Sequence, residues 1–416
     1  MTSTHNEIVV IGGGAIGIAC ALWLRRDGHQ VTLVEPGELA GECSFGNAST
    51  LAEYGCMPIA NASVWGNMPR LLFSKESPFT VRWSRIPELM PWLLRFLGQC
   101  NAKASTTNTR RLLQLLERTY SGYAPLLEQS PEAQALIRNH GCLYAYGTQA
   151  TLNAGRADVA LRRKLGIEQQ ELSAGEVVDL EPVMAGQTVG GVLFPRSCHI
   201  RDTQGFFKTL AAPLLADNAV KQAKVQRLES HAGGVNVHCD DGTHLRADRV
   251  VVAAGAWSAK LAATLGERIP LGVERGFHVE FDAGSELLTR PTCPVESAFY
   301  MSPLDGGRVR AAGTVELASM RDPINPARVR YIEERARRVL KLGNDISSRS
   351  WMGLRPTLPD CVPAIGPSQQ DPRVIYAFGH QHLGITLAGA TGQLVADCVR
   401  GRAPQWLNEY SAARFN

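Results

Sequence analysis

The sequence predicts an α/β chain with two domains, and three observations support this prediction. The segment Glu7–Pro36 reads as strand, glycine turn, helix and strand, because apolar runs at Ile8–Ile11 and Val31–Val34 flank a helical pattern. The 416 residues exceed what one ordinary core holds, so two domains are expected. Long antiparallel strand patterns occupy the later middle of the chain. They suggest that the second domain is of the α+β type.

The glycine turn carries the first functional signal. Gly12, Gly14 and Gly17 occupy the positions of a G-x-G-x-x-G motif between the first strand and the helix. The first glycine permits the sharp turn, the second allows a pyrophosphate to approach the backbone, and the third lets the helix pack closely on the sheet. Glu35 ends the second strand, where a carboxylate can accept both hydroxyls of a ribose. An unrelated glycine-rich turn would explain the glycines but not Glu35, so we predict dinucleotide binding.

Bulk properties exclude several classes. The composition is 44% hydrophobic and 20% charged with a net charge of +4, which is typical of a globular protein. No stripe of Lys and Arg predicts nucleic-acid binding. The ten cysteines include no C-x-x-C pair, which argues against a zinc site or a disulfide framework and favours the reducing cytoplasm. No metal site is expected, and the polar N-terminus MTSTHNE does not resemble a signal peptide.

A loop of small residues follows the ribose-binding strand. Ser44, Gly46, Asn47 and Ala48 can place their backbone against a flat ring system without side-chain collisions. Composition alone fits an ordinary surface loop equally well, but its position along the expected dinucleotide favours contact with the cofactor. Cys43 beside the loop raises the alternative of covalent cofactor attachment, although a buried free thiol is the more common situation.

The next segment is rich in Pro, Trp and Leu. Helical patterns at Ile86–Leu97 and Arg110–Gln129 predict a helical part of the second domain. Ile86–Leu97 is strongly apolar, which fits core packing and also fits docking on a membrane surface.

The rest of the chain alternates strands with helices. Strands are predicted at 141–147, 190–196, 223–230, 233–239, 249–253, 276–282, 298–316 (with a Gly-Gly turn) and 374–379, and helices at 150–165, 172–182, 202–219, 326–342 and after His382. The expected nucleotide domain comprises residues 1–55, 199–265 and 351–416, and the expected substrate domain comprises 56–198 and 266–350.

Only one G-x-G-x-x-G motif is present, so the chain binds either NAD alone or FAD that takes electrons directly from a substrate. Discontinuous glycine-containing turns late in the chain favour the longer FAD. The motifs GGGAIG, CSFGNAS, VVVAAGAWS, GLRPTLPD and GHQHLGITLA together resemble the FAD-dependent amino-acid oxidase superfamily. The SFGNAS loop is most similar to the D-amino-acid dehydrogenase branch, although that branch usually has SFANAG.

The resemblance implies a Rossmann-type FAD-binding domain and a substrate domain with a mixed or antiparallel sheet. It implies that Arg355 holds the substrate carboxylate, with Tyr300 and His382 as further catalytic candidates. A purely structural Arg355 paired with Asp360 is the alternative. The expected FAD-binding residues are Gly12, Gly14, Ala15, Ile16, Gly17, Glu35, Ser44, Gly46, Asn47, Ala48, Val225, Ala254, Gly255, Gly379, His382, Leu383, Gly384, Ile385 and Thr386.

The implied activity is oxidative deamination of a D-amino acid by hydride transfer from Cα to flavin N5. The difference in the SFGNAS loop suggests a substrate other than D-alanine, such as D-proline or D-hydroxyproline. The implied partners are the amino acid and a respiratory electron acceptor, in the cytoplasm or peripherally on the inner membrane face. Alternatives are a glycine or sarcosine oxidase that uses oxygen, a flavin subunit of a larger complex, and an NAD-dependent dehydrogenase.

Overall fold

The computed structural model describes residues 6–66 and 77–415. Most of the polar leader, and part of the Pro-, Trp- and Leu-rich segment, lie outside these ranges. The strands are β1 Glu7–Ile11, β2 Gln30–Glu35, β3 Thr50–Leu51, β4 Phe79–Val81, β5 Ile137–Arg138, β6 Cys142–Tyr146, β7 Gln170–Ser173, β8 Gly190–Phe194, β9 Cys198–Ile200, β10 Val220–Gln222, β11 Val225–His231, β12 Gly234–Cys239, β13 His244–Ala247, β14 Arg249–Val252, β15 Gly272–Asp282, β16 Thr292–Pro294, β17 Phe299–Leu304, β18 Arg308–Leu317, β19 Ser348–Thr357, β20 Ala364–Pro367 and β21 Val374–Phe378.

The helices connect these strands and cover the sheets. They are α1 Ala15–Arg26, α2 Ile86–Gln99, α3 Ala102–Leu116, α4 Thr119–Leu127, α5 Pro131–Gln134, α6 Gln149–Lys164, α7 Ala174–Leu180, α8 Thr203–Leu210, α9 Ala212–Ala216, α10 Ser258–Thr264, α11 Pro326–Leu340 and α12 Gly384–Val399.

The first large sheet has the strand order β10-β2-β1-β14-β21-β20, parallel except for the edge strand β20. Its central strand β1 is buried on both faces beyond Glu7, which explains the continuous apolar run in the sequence. Helices α1 and α12 pack on one face, and the antiparallel sheet β11-β12-β13 covers the other. The carboxyl ends of β1, β2 and β14 therefore meet at one edge.

The second large sheet has the order β19-β15-β18-β17-β16-β6-β8-β7, with β4 added beside β18. Most pairs are antiparallel, while β16 with β6 and β4 with β18 are parallel, so the sheet is mixed. Helix α11 packs through Tyr331, Ile332 and Ala336 onto the apolar face of β15 and β18. The predicted fold class is confirmed.

The helical segment differs from its prediction. The single helix predicted at Arg110–Gln129 is two helices, because α3 ends at Leu116 and α4 starts at Thr119. Helix α4 packs against α12, and the indole Nε1 of Trp23 on α1 donates to the carbonyl of Gly122 at 3.1 Å. Similarly, the helix predicted at 202–219 forms the two helices α8 and α9, and the helix predicted at 172–182 begins with the end of β7 before α7.

Two further observations concern the expected domains. The predicted boundary between residues 350 and 351 falls inside β19, which is hydrogen-bonded along its length to β15. Helices α3 and α4 share a core with the first sheet. The division into a nucleotide domain and a substrate domain stays a prediction.

Helix α2 is less buried than core packing predicts. Trp92 is its one buried residue; its indole donates to the carbonyl of Thr357 at 3.1 Å. Met90 and Leu94 are 39% and 62% exposed. Trp92 forms a small core cluster with Val81 and Leu317, and Ile86, Leu89, Leu93 and Phe96 of the helix are partly buried against it, while Met90 and Leu94 remain on the surface.

Candidate active site

A long cavity of about 1120 Å³ begins at the glycine turn after β1. It passes the end of β2, the start of β11 and the turn after β14, and reaches the beginning of α12. Segments that lie far apart in the sequence thus line one elongated space.

The glycines of the turn make this space possible. Gly12 has φ +108°, and a Cβ there would lie 2.4 Å from the carbonyl oxygen of Ala253. A Cβ at Gly17 would lie 1.8 Å from the carbonyl oxygen of Gly12, so α1 approaches the turn as closely as backbone allows. A Cβ at Gly14 would meet only the Ser44 hydroxyl, at 3.4 Å. Gly14 thus differs from the other two, because a side chain there would enter the cavity without disturbing the protein.

The carboxylate of Glu35 is held at the end of β2. The N–H groups of Gly13 and Gly37 donate to its two oxygens at 2.6 and 3.0 Å. The hydroxyl of Ser44 accepts from the N–H of Ala15 at 2.9 Å, which ties the small-residue loop to the start of α1. The end of β2 and the small-residue loop are thereby held against the glycine turn and the start of α1.

The N-terminus of α12 borders the far part of the cavity. Gly384 and Ile385 line it, and no side chain caps this helix end. Uncapped N–H groups and the helix dipole favour negative charge at this point. An elongated cavity with a glycine turn, a carboxylate and a helix N-terminus along its length fits FAD.

A second cavity, of about 1050 Å³, adjoins the first, and Cys43, Asn47, Trp351 and Gln381 line both. The indole of Trp351 fills space that a Cβ at Gly46 or Gly353 would occupy, at 1.8 and 2.0 Å. It also stacks on the His278 ring with centroids 5.1 Å apart. The indole of Trp351 therefore has little freedom to move where the two cavities meet.

Cys43 also lines both cavities, and burial raises the pKa of its thiol to about 12.

Arg355 lies on β19 and faces the second cavity. Its Nη1 donates to the carbonyl of Thr314 at 3.1 Å, and its guanidinium covers Gly276, where a Cβ would lie 2.4 Å from the guanidinium carbon. Within the described ranges, no carboxylate forms an ion pair with it. Burial lowers the pKa of this guanidinium below its usual value, and the charge of Glu274 opposes this shift.

The pairing of Arg355 with Asp360, which the structural alternative requires, is not found in the described part of the chain. Asp360 is paired with Arg414, whose Nε donates to Asp360 Oδ2 at 2.7 Å.

Three tyrosines line the second cavity. The hydroxyls of Tyr144 and Tyr300 are 2.5 Å apart, and that of Tyr54 is 3.4 Å from Tyr300. Burial raises the pKa of each above its ordinary value, so all three are protonated at neutral pH. The cluster offers hydroxyl groups for hydrogen bonding in a largely apolar surrounding.

His382 lines the second cavity, and its side chain is exposed. Desolvation by the surrounding protein, and then the charge of Arg355, lower its pKa to about 4, so the ring is neutral at neutral pH. Gln381 donates through Nε2 to Glu274 at 2.9 Å, which leaves its Oε1 to accept from Nδ1–H of His382 at 3.1 Å. The lone pair of His382 is therefore on Nε2. His380 instead contacts Thr391 at 2.9 Å, and burial lowers its pKa to about 3.

The structure separates the predicted cofactor residues into three groups. Those that line the first cavity are Gly12, Gly14, Ala15, Ile16, Glu35, Ser44, Asn47, Val225, Ala254, Gly255, Gly379, Gly384 and Ile385. Gly46, Ala48 and His382 line the second cavity instead. Gly17, Leu383 and Thr386 line neither: Leu383 is in the core, and the Thr386 hydroxyl accepts from the N–H of Ala52 at 3.0 Å. Their cofactor roles stay predictions.

Sequence reasoning missed several residues of the second cavity, namely Tyr144, Arg162, Gly276 and Trp351. For Trp351 a signal existed, because Trp351, Gly353 and Arg355 alternate along a strand and so share one face. For Tyr144 and Arg162 no signal existed, since their strand and helix show nothing unusual in the sequence.

Neither a metal site nor a membrane span is found in the part of the chain that the structure describes. No group of three His, Cys, Asp or Glu residues there could hold a metal ion. No helix there has the length and apolar content to cross a bilayer.

Comparison with known proteins places these cavities in context. Residues 7–398 match the family model DAO, described as FAD dependent oxidoreductase. The chain is 32% identical to a D-amino-acid oxidase of Bradyrhizobium diazoefficiens over 422 residues, covering 99% of both chains. It is 33% identical to a D-amino acid dehydrogenase of Paramagnetospirillum magneticum over 411 residues, covering 95% of both.

Solved structures agree with this fold. Glycine oxidase from Geobacillus kaustophilus superposes with a TM-score of 0.77 at 22% identity, covering 99% of both chains. L-Proline dehydrogenase from P. horikoshii superposes with a TM-score of 0.72 at 16% identity, covering 99% of this chain and 98% of that one.

Proposed function

Because this chain belongs to the DAO family of FAD-dependent oxidoreductases, we propose that it oxidises the amine-bearing carbon of an amino acid held in the second cavity. FAD is the cofactor, and the NAD-dependent alternative is wrong. Bound FAD supplies the acceptor of two electrons. Gly14, Glu35 and the N-terminus of α12 would hold it, because they supply backbone donors, a ribose-binding carboxylate and a helix dipole along the first cavity.

The observation that carries the proposal is the guanidinium of Arg355, which faces the second cavity and forms no ion pair with a described carboxylate. The charge of Glu274, opposite it on β15, keeps it protonated against the effect of burial, and a cation in such surroundings favours an anionic partner. A planar guanidinium binds a carboxylate through two parallel hydrogen bonds, which fixes orientation as well as position. Gly276 beneath and Thr314 beside the guanidinium hold it in place before substrate arrives.

The other residues of the cavity suit the rest of an amino acid. The neutral His382 presents its Nε2 lone pair to the cavity, where it can accept a hydrogen bond from the substrate amine. The paired hydroxyls of Tyr144 and Tyr300 can donate to polar substrate atoms. Trp351 restricts where the substrate meets the first cavity. Together they supply placement, and placement is the main requirement for transfer between two held reactants.

We propose the D-configuration, because the relatives described above are named for D-amino acids. The product would be an imino acid that hydrolyses to a 2-oxo acid, or a cyclic imine from a D-proline-like substrate. The names of the relatives divide between oxidase and dehydrogenase, and we propose a respiratory acceptor over oxygen. Peroxide formed under air in proportion to the substrate consumed would overturn this choice and favour an oxidase.

We also propose a cytoplasmic location with peripheral contact to the membrane that holds the acceptor. All ten cysteines are free, which suits a reducing compartment. The exposed apolar residues Trp83, Met90 and Leu94 on and before α2 suit insertion into a lipid surface. Sedimentation with lipid vesicles, for the native protein and for Leu94→Ser, tests the contact; equal sedimentation of both would contradict it.

The central test is dye reduction with a panel of D- and L-amino acids by Arg355→Met and Arg355→Lys. Loss of a bidentate ion pair should raise KM by about 100-fold in the methionine variant and less in the lysine variant. Arg349→Met is the matched control, since Arg349 lies on the same strand but 64% of its side chain is exposed. Unchanged KM in Arg355→Met, with flavin content intact, would refute the carboxylate role.

A further inference from the structure

A second arginine, Arg162, lines the second cavity and is not explained by the binding of one carboxylate. It lies on α6, a helix remote from Arg355 in the sequence, and is only 8% exposed. Its Nε donates to the carbonyl of Tyr54 at 3.4 Å. Its guanidinium carbon lies 5.4 Å from the centre of the Phe194 ring and 5.9 Å from that of Tyr144.

No charge of opposite sign balances Arg162. Throughout residues 6–66 and 77–415, no carboxylate forms an ion pair with it. Glu296 is the one acidic residue among the described lining, and its Oε1 is already occupied by the N–H groups of Gly147 and Thr148 and the hydroxyl of Thr151, at the start of α6. A buried cation facing a cavity without a counter-charge suits an anionic ligand.

The two arginines reach the cavity from different elements, Arg162 from α6 and Arg355 from β19. The guanidinium of Arg355 reaches a carbonyl on β18, while Arg162 lies beside Tyr144, whose hydroxyl meets Tyr300 on β17. Strands β6 and β18 are separated by β16 and β17. Three spacings of about 4.8 Å therefore separate β6 from β18, so the strands that the two guanidinium groups reach lie roughly 14 Å apart. That span suits a ligand with a carboxylate at each end.

We infer that the substrate is an amino acid with a second carboxylate, which Arg162 binds while Arg355 binds the α-carboxylate. This inference rests on the proposed function and specifies its substrate class. Arg162 would use its two terminal nitrogens, since Nε is taken by Tyr54 and the flat face of the group lies against aromatic rings. Neutral amino acids, including proline-like ones, then bind more weakly, because they lack the ion pair with Arg162.

The test compares acids with their neutral amides, which have nearly the same shape. Steady-state dye reduction is measured with D-glutamate against D-glutamine and D-aspartate against D-asparagine, together with the L-enantiomers. We expect the KM of at least one acid to be about 10- to 100-fold below that of its amide, as for a charge-assisted hydrogen bond. Arg162→Met should bring the ratio close to one, and Arg162→Lys should restore part of it.

Arg163→Met is the matched control. Arg163 is adjacent on α6, has 62% of its side chain exposed and pairs with Glu171 on the surface, so its loss should leave the ratio unchanged. A second readout is the change in the flavin spectrum on titration with glutarate against butyrate; the dicarboxylate should bind more tightly in the native protein but not in Arg162→Met.

The outcomes separate the two proposals. Oxidation of neutral amino acids with an acid-to-amide ratio near one, or a ratio that Arg162→Met leaves unchanged, would overturn the dicarboxylate inference and leave the proposed function standing. Absence of turnover with every amino acid, in a protein that retains flavin, would overturn the proposed function itself. If Arg162→Met does not retain flavin, Arg162→Gln and Arg162→Lys take its place. Their acid-to-amide KM ratios then decide whether Arg162 binds the second carboxylate.

Discussion

The two adjoining cavities are built by different means. The first is made largely of backbone: glycines at turns, a helix N-terminus and one carboxylate held by two N–H groups. The second is made of side chains that converge from several strands and a helix, with charges and hydroxyls facing inward. Backbone sites tolerate few changes in shape, whereas side-chain sites can change their ligand by substitution. The cofactor cavity should therefore be sensitive to volume, and the substrate cavity to chemistry.

The largest effect is expected at Gly17. An added Cβ would lie 1.8 Å from the Gly12 carbonyl oxygen, so Gly17→Ala should cost about 3 kcal/mol of folding free energy or prevent folding. Gly14→Ala should instead leave the apoprotein's stability unchanged while weakening FAD binding by about 10- to 100-fold. Denaturant unfolding of the apoprotein and FAD titration measure the two effects. Equal stability losses in both variants would remove the distinction between a packing glycine and a cavity glycine.

The next largest effect, on activity, is expected where the guanidinium of Arg355 packs over Gly276. Gly276→Ala places a methyl group 2.4 Å from the guanidinium carbon, which must move. A displacement of about 1 Å at a substrate-positioning group costs about 100-fold in activity, so kcat/KM should fall by that factor with flavin content unchanged. Gly98→Ala, where the methyl group meets nothing within 4 Å, is the control. Full activity in Gly276→Ala would show that the guanidinium is not held against the sheet.

The next prediction concerns the pH dependence of folding stability, which should report the burial of His380 in the wall of the first cavity. Its pKa is about 3 in the folded protein and about 6.5 when unfolded, so only the unfolded chain takes up this proton between those values. Stability therefore falls as pH decreases through this window, by about 1.4 kcal/mol per pH unit for this group.

The variant His380→Gln should be less stable at neutral pH and should lose stability less steeply on acidification. Unfolding free energies measured from pH 4.5 to 6.5 report the two slopes. Parallel slopes for the native protein and the variant would mean that His380 is not kept neutral by burial.

The smallest effect is expected for the tyrosine pair of the second cavity. Tyr144→Phe and Tyr300→Phe each remove one side of a 2.5 Å hydrogen bond. A double-mutant cycle on unfolding free energy should give a coupling of about 1 kcal/mol. Additive single effects would indicate that the two hydroxyls bind other groups independently.

The sequence predicts the first cavity far better than the second. A glycine motif is local, because the turn and its ligand contacts arise within one strand–turn–helix unit, and Glu35 follows at a fixed distance. The second cavity depends on which strands become neighbours, and sequence spacing does not contain that information. Arg355 and Tyr300 were found only through resemblance, and Arg162 could not be found at all. For α2 the reason is similar: its apolar pattern indicates a hydrophobic face but not how much of that face other elements cover.

The strand order of the first sheet also bears on how the protein is made. Its central strand β1 has β14 as a neighbour, some 240 residues later, and β14 in turn pairs with β21 near the end of the chain. A nascent chain therefore pairs β1 with β2 early, but the other edge of β1 stays unpaired until β14 has been synthesised. The sheet, and the cofactor cavity at its edge, can be completed only after β21 and α12 near the end of the chain.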